Sequence, residues 1–138
     1  MLKVEPLVLV ASPGHSLAHH KSATYRDLRD QTLFLPKADC GYRMIFEQIM
    51  AAERIHPSAV IELNSIEAIK KIVMSGLGVT VIPEIAVQSE LKNNRLAKLA
   101  WSEILETGVC MIWHKDKWFS RALKTLMDLF REKIRGSS

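Results

Sequence analysis

Two cysteines, Cys40 and Cys110, are all that the 138 residues hold, so no disulfide framework braces the fold. Two reduced thiols fit an intracellular domain. No apolar run reaches membrane-spanning length, and the N-terminus lacks the layout of a signal peptide. Both absences point to a cytoplasmic chain with no membrane partner. Internal repeats and low-complexity tracts are missing too. The formal net charge is +4, yet no block of five or six basic residues appears. Lys115, Lys117, Arg121 and Lys124 form the densest group, and solvated helix faces explain them more simply than a nucleic-acid patch.

Catalytic signatures are equally scarce. The chain has no Gly-x-Ser-x-Gly elbow and no phosphate loop, and Gly76-Leu77-Gly78 is too short for a dinucleotide fingerprint. His15, His19, His20, His56 and His114 fall in no metal-ligand spacing with a cysteine or carboxylate. An enzyme, a metal site and a bound cofactor are therefore not expected. Trp101, Trp113 and Trp118 are not interleaved with a basic stripe, so core or subunit-contact roles suit them better than base stacking.

What is present is a foldable α/β pattern. Apolar residues make up 48% and charged residues 25%, enough for the packed core of one small domain. Leu7–Ala11 is an apolar run that reads as a buried strand, ended by Ser12, Pro13 and Gly14. Thr24, with Asp27 three residues on, caps a short helix through Leu28. Thr32–Leu35 is a second strand, stopped by Pro36. A helix capped by Asp39 then runs to about Arg54, with Ile45, Phe46, Ile49 and Met50 on its apolar face. Val60–Leu63 is a third strand.

Asn64–Pro83 follows as helix, glycine turn and strand. Asn64 is the expected N-cap, with Glu67 in the box position. Ile66, Ile69, Ile72 and Val73 share one face, and Lys70 and Lys71 point away from it. Gly76 suits the left-handed residue after the helix, and Gly78 keeps the turn tight. A short helix to about Leu91, a turn at Asn93–Asn94 and a weak strand over Leu96–Trp101 come next. Val109–Trp113 is expected to be a buried strand, which would leave Cys110 inert in the core. Ser120 caps a last helix bearing Leu123, Leu126, Met127, Phe130 and Ile134 on one face. Strands and helices alternate, which predicts an α/β fold with a doubly wound, mainly parallel sheet.

Ligands of such sheets bind beyond the carboxyl ends of strands, where helices begin. Two helix starts qualify. Around the first sit Lys37, Cys40, Gly41, Tyr42 and Arg43, which offer a cation, a thiol, close backbone approach, a phenol and a guanidinium. Around the second sit Asn64 and Ser65. Unpaired amides and the helix dipole make each start receptive to a small anion such as a carboxylate. The plainer alternative is that Asn64 and Asp39 only cap and Arg43 is a solvated helix residue. Cys40, at a helix start near Lys37 and Arg43, has the surroundings that lower a thiol pKa, which opens a redox role beside a purely structural one.

Four stretches in order carry a family resemblance: EPLVLVASPGHSLA, LFLPKADCGYRMIFEQIM, IELNSIEAIKKIVMSGLGVTVIPEIAV and VCMIWHKDKWFSRALKTLMDLF. Together they resemble the C-terminal effector-binding domain of LysR-type transcriptional regulators. The resemblance implies a mixed, mostly parallel α/β sheet of the periplasmic-binding-protein type, with an effector held between two subdomains. It implies that residues 1–11 are a crossover strand from a first subdomain. Residues 12–111 would be the second regulatory subdomain, and residues 112–138 the return crossover with a C-terminal helix of the first. Carried over, the Cys40-Gly41-Tyr42-Arg43 loop and Asn64–Ser65 face the cleft.

The family usually has His-Pro-Leu-Ala where this chain has His15-Ser16-Leu17-Ala18. The DNA-binding domain and most of the first subdomain have no counterpart here, so the resemblance implies a fragment that contacts DNA only through a missing N-terminal domain. Expected partners are a small anionic effector and further copies of the protein. The competing functions are a redox-sensing regulator acting through Cys40 and a stand-alone small-molecule binding protein. Peroxide-sensing members place a reactive cysteine close to Cys40, but their local pattern differs from Cys40-Gly41-Tyr42-Arg43 and their second cysteine has no counterpart.

Overall fold

The computed structural model describes residues 1–101 and 104–136. The chain forms two compact units, Pro6–Thr107 and Met1–Glu5 with Gly108–Ser138. Ser137 and Ser138, the end of the expected last segment, lie outside the described residues.

The larger unit is built on a sheet whose inner strands are covered on both faces, while β3 at its edge is exposed. Its strands are β1 (Lys3–Ala11, entering from the smaller unit), β2 (Thr32–Leu35), β3 (Ala59–Glu62), β4 (Thr80–Pro83) and β5 (Ala97–Lys98). β2 and β3 run parallel, with Leu35 opposite Glu62. β1 is antiparallel to β4, with Val8 opposite Ile82, and antiparallel to β5. A parallel bridge between Leu33 and Val79 joins the two ladders, through Phe34 N–H to Val79 O and Val79 N–H to Thr32 O, both 3.0 Å. The order across the sheet is therefore β3-β2-β4-β1-β5.

Alternate residues go to opposite faces of a strand. Leu7, Leu9, Leu33, Leu35 and Val81 join Phe46 and Met50 of α1 (Gly41–Ala52) in one cluster. Val8, Val10, Phe34 and Ile82 join Ile69 and Val73 of α2 (Ile66–Met74) in the other. With helices on both faces, Leu7–Ala11 of β1, Leu33–Leu35 of β2 and Val81–Ile82 of β4 need apolar residues at successive positions, which is why they read as unbroken runs rather than alternation. Each fully buried Leu, Ile or Phe side chain contributes about 1.5–3 kcal/mol of transfer free energy.

Gly78 is required by space rather than by the turn. A Cβ there would overlap the Thr32 carbonyl oxygen and lie 2.7 Å from the Phe34 ring. Gly76, by contrast, has φ +89° and terminates α2 in the left-handed region. The Thr24 prediction holds, since the Asp27 carboxylate accepts from the Thr24 N–H at 2.7 Å ahead of a 3-10 turn over Tyr25–Leu28.

Several local expectations are corrected. Ser65, not Asn64, caps α2: its Oγ accepts from the Ala68 N–H at 3.3 Å. The helix begins one residue later than expected, and Glu67 turns to Lys70 instead of back to the Asn64 amide. Cys40, not Asp39, occupies the cap position of α1 and makes no side-chain cap bond. Lys70 does not point away. It is 6% exposed, and its ammonium lies 2.7 Å from Glu90 on α3 (Gln88–Lys92) and 3.1 Å from Glu67. A long aliphatic stem lets a lysine lie along an apolar face when carboxylates meet its head.

The chain leaves the larger unit through β6 (Glu106–Val109), which pairs with β1, and in the smaller unit Leu2 N–H donates to Val109 O at 2.7 Å. The expected strand over Val109–Trp113 thus lies mostly before that stretch. Its residues are not buried either: Ile112 is 89% exposed, and Cys110 is exposed rather than set in a core. Apolar composition marked the stretch as buried, but its cover is partial: the Trp113 ring meets Phe119 edge-on at 5.9 Å and still stands 50% exposed. α4 (Arg121–Arg135) is capped by Ser120 as expected, Oγ accepting from Leu123 N–H at 3.1 Å. Its apolar face lines an open groove of about 570 Å³ with Leu2, Val109 and Trp113.

Candidate functional site

Parallel pairing of β2 and β3 puts their carboxyl ends side by side, with Leu63 N–H donating to Leu35 O at 3.0 Å. Each strand feeds a helix. The chain leaving β2 turns at Lys37–Cys40, where Cys40 N–H donates to Lys37 O at 2.9 Å, and starts α1 at Gly41. The chain leaving β3 passes Leu63 and Asn64 and starts α2 after Ser65. The two helix starts singled out in the sequence are therefore neighbours at one edge of the sheet, on helices that cover opposite faces.

Lys37, Gly41, Asn64 and Ser65 are exposed, and Cys40 and Tyr42 are half-buried. A Cβ added at Gly41 would meet nothing within 4 Å, so backbone and solvent are in open contact there. Burial pushes the Tyr42 phenol up to about 12, and the adjacent Cys40 thiol acts in the same direction. Tyr42 thus stays a neutral hydroxyl that can donate to an anion.

Arg43 differs from the rest of the set. It is neither solvated nor open to the edge, being 9% exposed. Its Nη1 donates to Pro36 O at 2.6 Å and to Glu62 Oε2 at 2.8 Å, and its Nε donates to Glu47 Oε1 at 3.0 Å. Desolvation pulls the guanidinium pKa down, but the bonds to Glu47 and Glu62 outweigh it, so the group is held charged above its ordinary value. Glu62 escaped notice in the sequence. The available signal was a carboxylate closing the otherwise apolar strand Ala59–Glu62, which asks for a cation nearby.

Among the described residues no group of three or more His, Cys, Asp or Glu could hold a metal ion, and no helix is long and apolar enough to cross a membrane. The site offers hydrogen-bond donors, a lysine and helix-start amides.

Comparison with known proteins gives the same family by independent routes. An HTH-type transcriptional regulator of Bacillus subtilis strain 168, the uncharacterized YwqM, is 37% identical over 136 residues, covering 95% of this chain and 46% of the relative. The chain thus spans less than half the length of that curated relative. The regulatory domain of Synechocystis PCC6803 CcmR, solved in complex with 2-PG, superposes with a TM-score of 0.81 at 21% identity, covering 96% of this chain and 64% of that one. The effector-binding domain of QuiR, solved with shikimate, gives a TM-score of 0.77 at 21% identity, covering 98% of this chain and 64% of that one. These superpositions establish the periplasmic-binding-protein-like α/β fold. The profile of the LysR substrate binding domain matches residues 2–135, and the chain belongs to that family.

Proposed function

We propose that this chain is the effector-sensing part of a cytoplasmic LysR-type transcription factor. It binds a small anionic metabolite at the carboxyl edge of β2 and β3. The observation that carries the reading is the juxtaposition of the α1 and α2 starts across the β2–β3 ladder, in a chain of this family. Lys37 supplies the mobile positive charge. Cys40, Gly41 and Tyr42 present backbone and hydroxyl donors at one helix start, Asn64 and Ser65 do so at the other, and Arg43 lies beneath them. That the CcmR and QuiR domains were solved with 2-PG and shikimate supports a small polar ligand.

In the longer, oligomeric protein the bound ligand biases the arrangement of the DNA-binding parts. Its leverage is limited to its differential affinity for the two arrangements.

The test is calorimetry on the full-length regulator with a panel of small carboxylates, each beside its neutral amide. A carboxylate that binds while its amide does not, and that weakens about tenfold or more in Lys37→Ala or Ser65→Ala, is the expected result. Binding of carboxylates and amides alike, or indifference to both substitutions, overturns the anion reading.

A further inference from the structure

The contacts of Arg43 point to a role that its place in the loop conceals. Its guanidinium meets three acceptors on three elements: the Pro36 carbonyl at the exit of β2, Glu62 at the end of β3, and Glu47 one turn further along α1. These account for three of the five N–H donors an arginine has. Two carboxylates against one guanidinium leave the cluster with no surplus positive charge to attract a ligand. Lys37, exposed and outside this cluster, remains the cation available to solvent.

The position of the three acceptors matters. Pro36 is the last residue before the Lys37–Cys40 turn, and Glu62 lies two residues before Asn64. The last inter-strand bond before the helices is Leu63 N–H to Leu35 O, after which the backbones diverge. Arg43 supplies a charged cross-link at that point.

We infer that Arg43 is the positioning residue of the anion site, touching no ligand but locking the α1 start and the α2 start into one body through Pro36, Glu47 and Glu62. The inference rests on the site proposed above. Its mechanical consequence is that disturbing one start loosens the other. Removing the Glu62 charge, on β3, frees the Cys40 turn, with which Glu62 makes no direct bond of its own.

The test needs no ligand. In the whole chain with Cys110→Ser, leaving Cys40 as the single thiol, amide exchange is followed over residues 36–41 and 62–66, and Cys40 alkylation is timed. Losing a charged, part-buried hydrogen bond is expected to speed local opening about tenfold. Glu62→Gln should therefore accelerate both segments and Cys40 alkylation, while amides of β4 keep their protection. Arg43→Gln, which also loses the bonds to Pro36 and Glu47, should do the same at least as strongly, and adding Glu62→Gln to it should change nothing further, because the Arg43–Glu62 link is already broken. Arg43→Lys, which keeps one charged donor, should restore part of the protection. If Arg43→Gln does not fold, Glu62→Gln decides alone, its side chain being 48% exposed and its loss tolerable.

Acceleration confined to residues 62–66 in Glu62→Gln, or additive effects in the double variant, overturns the inference. Such a result with the carboxylate response intact removes the linkage and leaves the binding site standing. Linked starts without a carboxylate response remove the binding reading and leave the linkage.

Discussion

Replacing Gly78 by alanine tests the sheet that carries the candidate site. The added Cβ would overlap the Thr32 carbonyl oxygen and sit 2.7 Å from the Phe34 ring. Neither neighbour can retreat freely. Phe34 is 5% exposed in the second core cluster, and the Thr32 oxygen accepts from the Val79 N–H at 3.0 Å. Overpacking of a core costs about 1–3 kcal/mol. Moving Thr32 also weakens the two bonds bridging β2 to β4, each worth about 1 kcal/mol net. The expected loss is therefore about 3–5 kcal/mol, a large share of the stability of a small domain. It should appear as a fall of about 10–20 °C in Tm or an equivalent shift of the urea midpoint, followed by far-ultraviolet circular dichroism.

Two other glycines calibrate the result. Gly76→Ala places a side chain at φ +89° but meets only Ser12 Oγ at 3.5 Å, so it should cost about 1–2 kcal/mol of backbone strain. Gly41→Ala meets nothing within 4 Å and should stay within about 0.5 kcal/mol of the parent. A Gly78→Ala variant within about 1 kcal/mol of the parent, or ranked below Gly76→Ala, would refute the close-approach argument.

Two further outcomes follow from the contacts around α2. Ser65→Ala should lower stability by about 1 kcal/mol through loss of the bond from Ala68 N–H, while Asn64→Ala should change it by only a few tenths, as chemical denaturation will show. The Lys70–Glu90 pair should also shape the pH profile. The hydrogen bond from Lys70 leads in holding Glu90 below its ordinary 4.5, against the opposing effect of burial, and Lys70 is held above its ordinary 10.5 because its bonds to Glu90 and Glu67 outweigh desolvation. The Glu90 contribution is then complete above about 4.5 and lost as pH falls through its lower folded value; the Lys70 contribution is complete below 10.5 and lost as pH rises through its higher one. Glu90→Gln should cost about 2 kcal/mol near neutrality and flatten the acid limb of a stability-against-pH curve, whereas Glu67→Gln, at an exposed partner, should cost under about 0.5.

Most of the larger unit was legible because its physics is local. Stretches of strand covered on both faces must be apolar at successive positions, and Leu7–Ala11 and Leu33–Leu35 show that directly. Helices covered on one face must repeat at three and four, as Phe46 with Met50 and Ile69 with Val73 do. Adjacent cap-forming residues were less informative. Asn64 and Ser65 have equal capping chemistry, and only the backbone at Ser65, φ −132° with ψ 125°, decides between them.

The long-range pairings were hidden for a different reason. Glu62 stands nineteen residues from Arg43 and meets it only because β2 and β3 lie in parallel register. Arg43 and Lys70 both carry charges on helices; the sequence suggests a ligand contact or a solvated residue for the first and an outward-pointing one for the second. In each case acceptors from another element, Glu62 or Glu90, turned the side chain inward. Periodicity identifies a face that wants cover and says nothing about who provides it. The α4 face makes the converse case: Leu126 and Phe130 repeat at the spacing of a buried stripe, yet stand 50% and 51% exposed. Charge patterns are ambiguous for the same reason, since a cation on a helix reports its own solubility and not its partner. The residues that hold the candidate site together are therefore harder to read than those that line it. Lining residues announce themselves by lying at strand ends before helices, while the tie between them depends on a register that no single segment encodes.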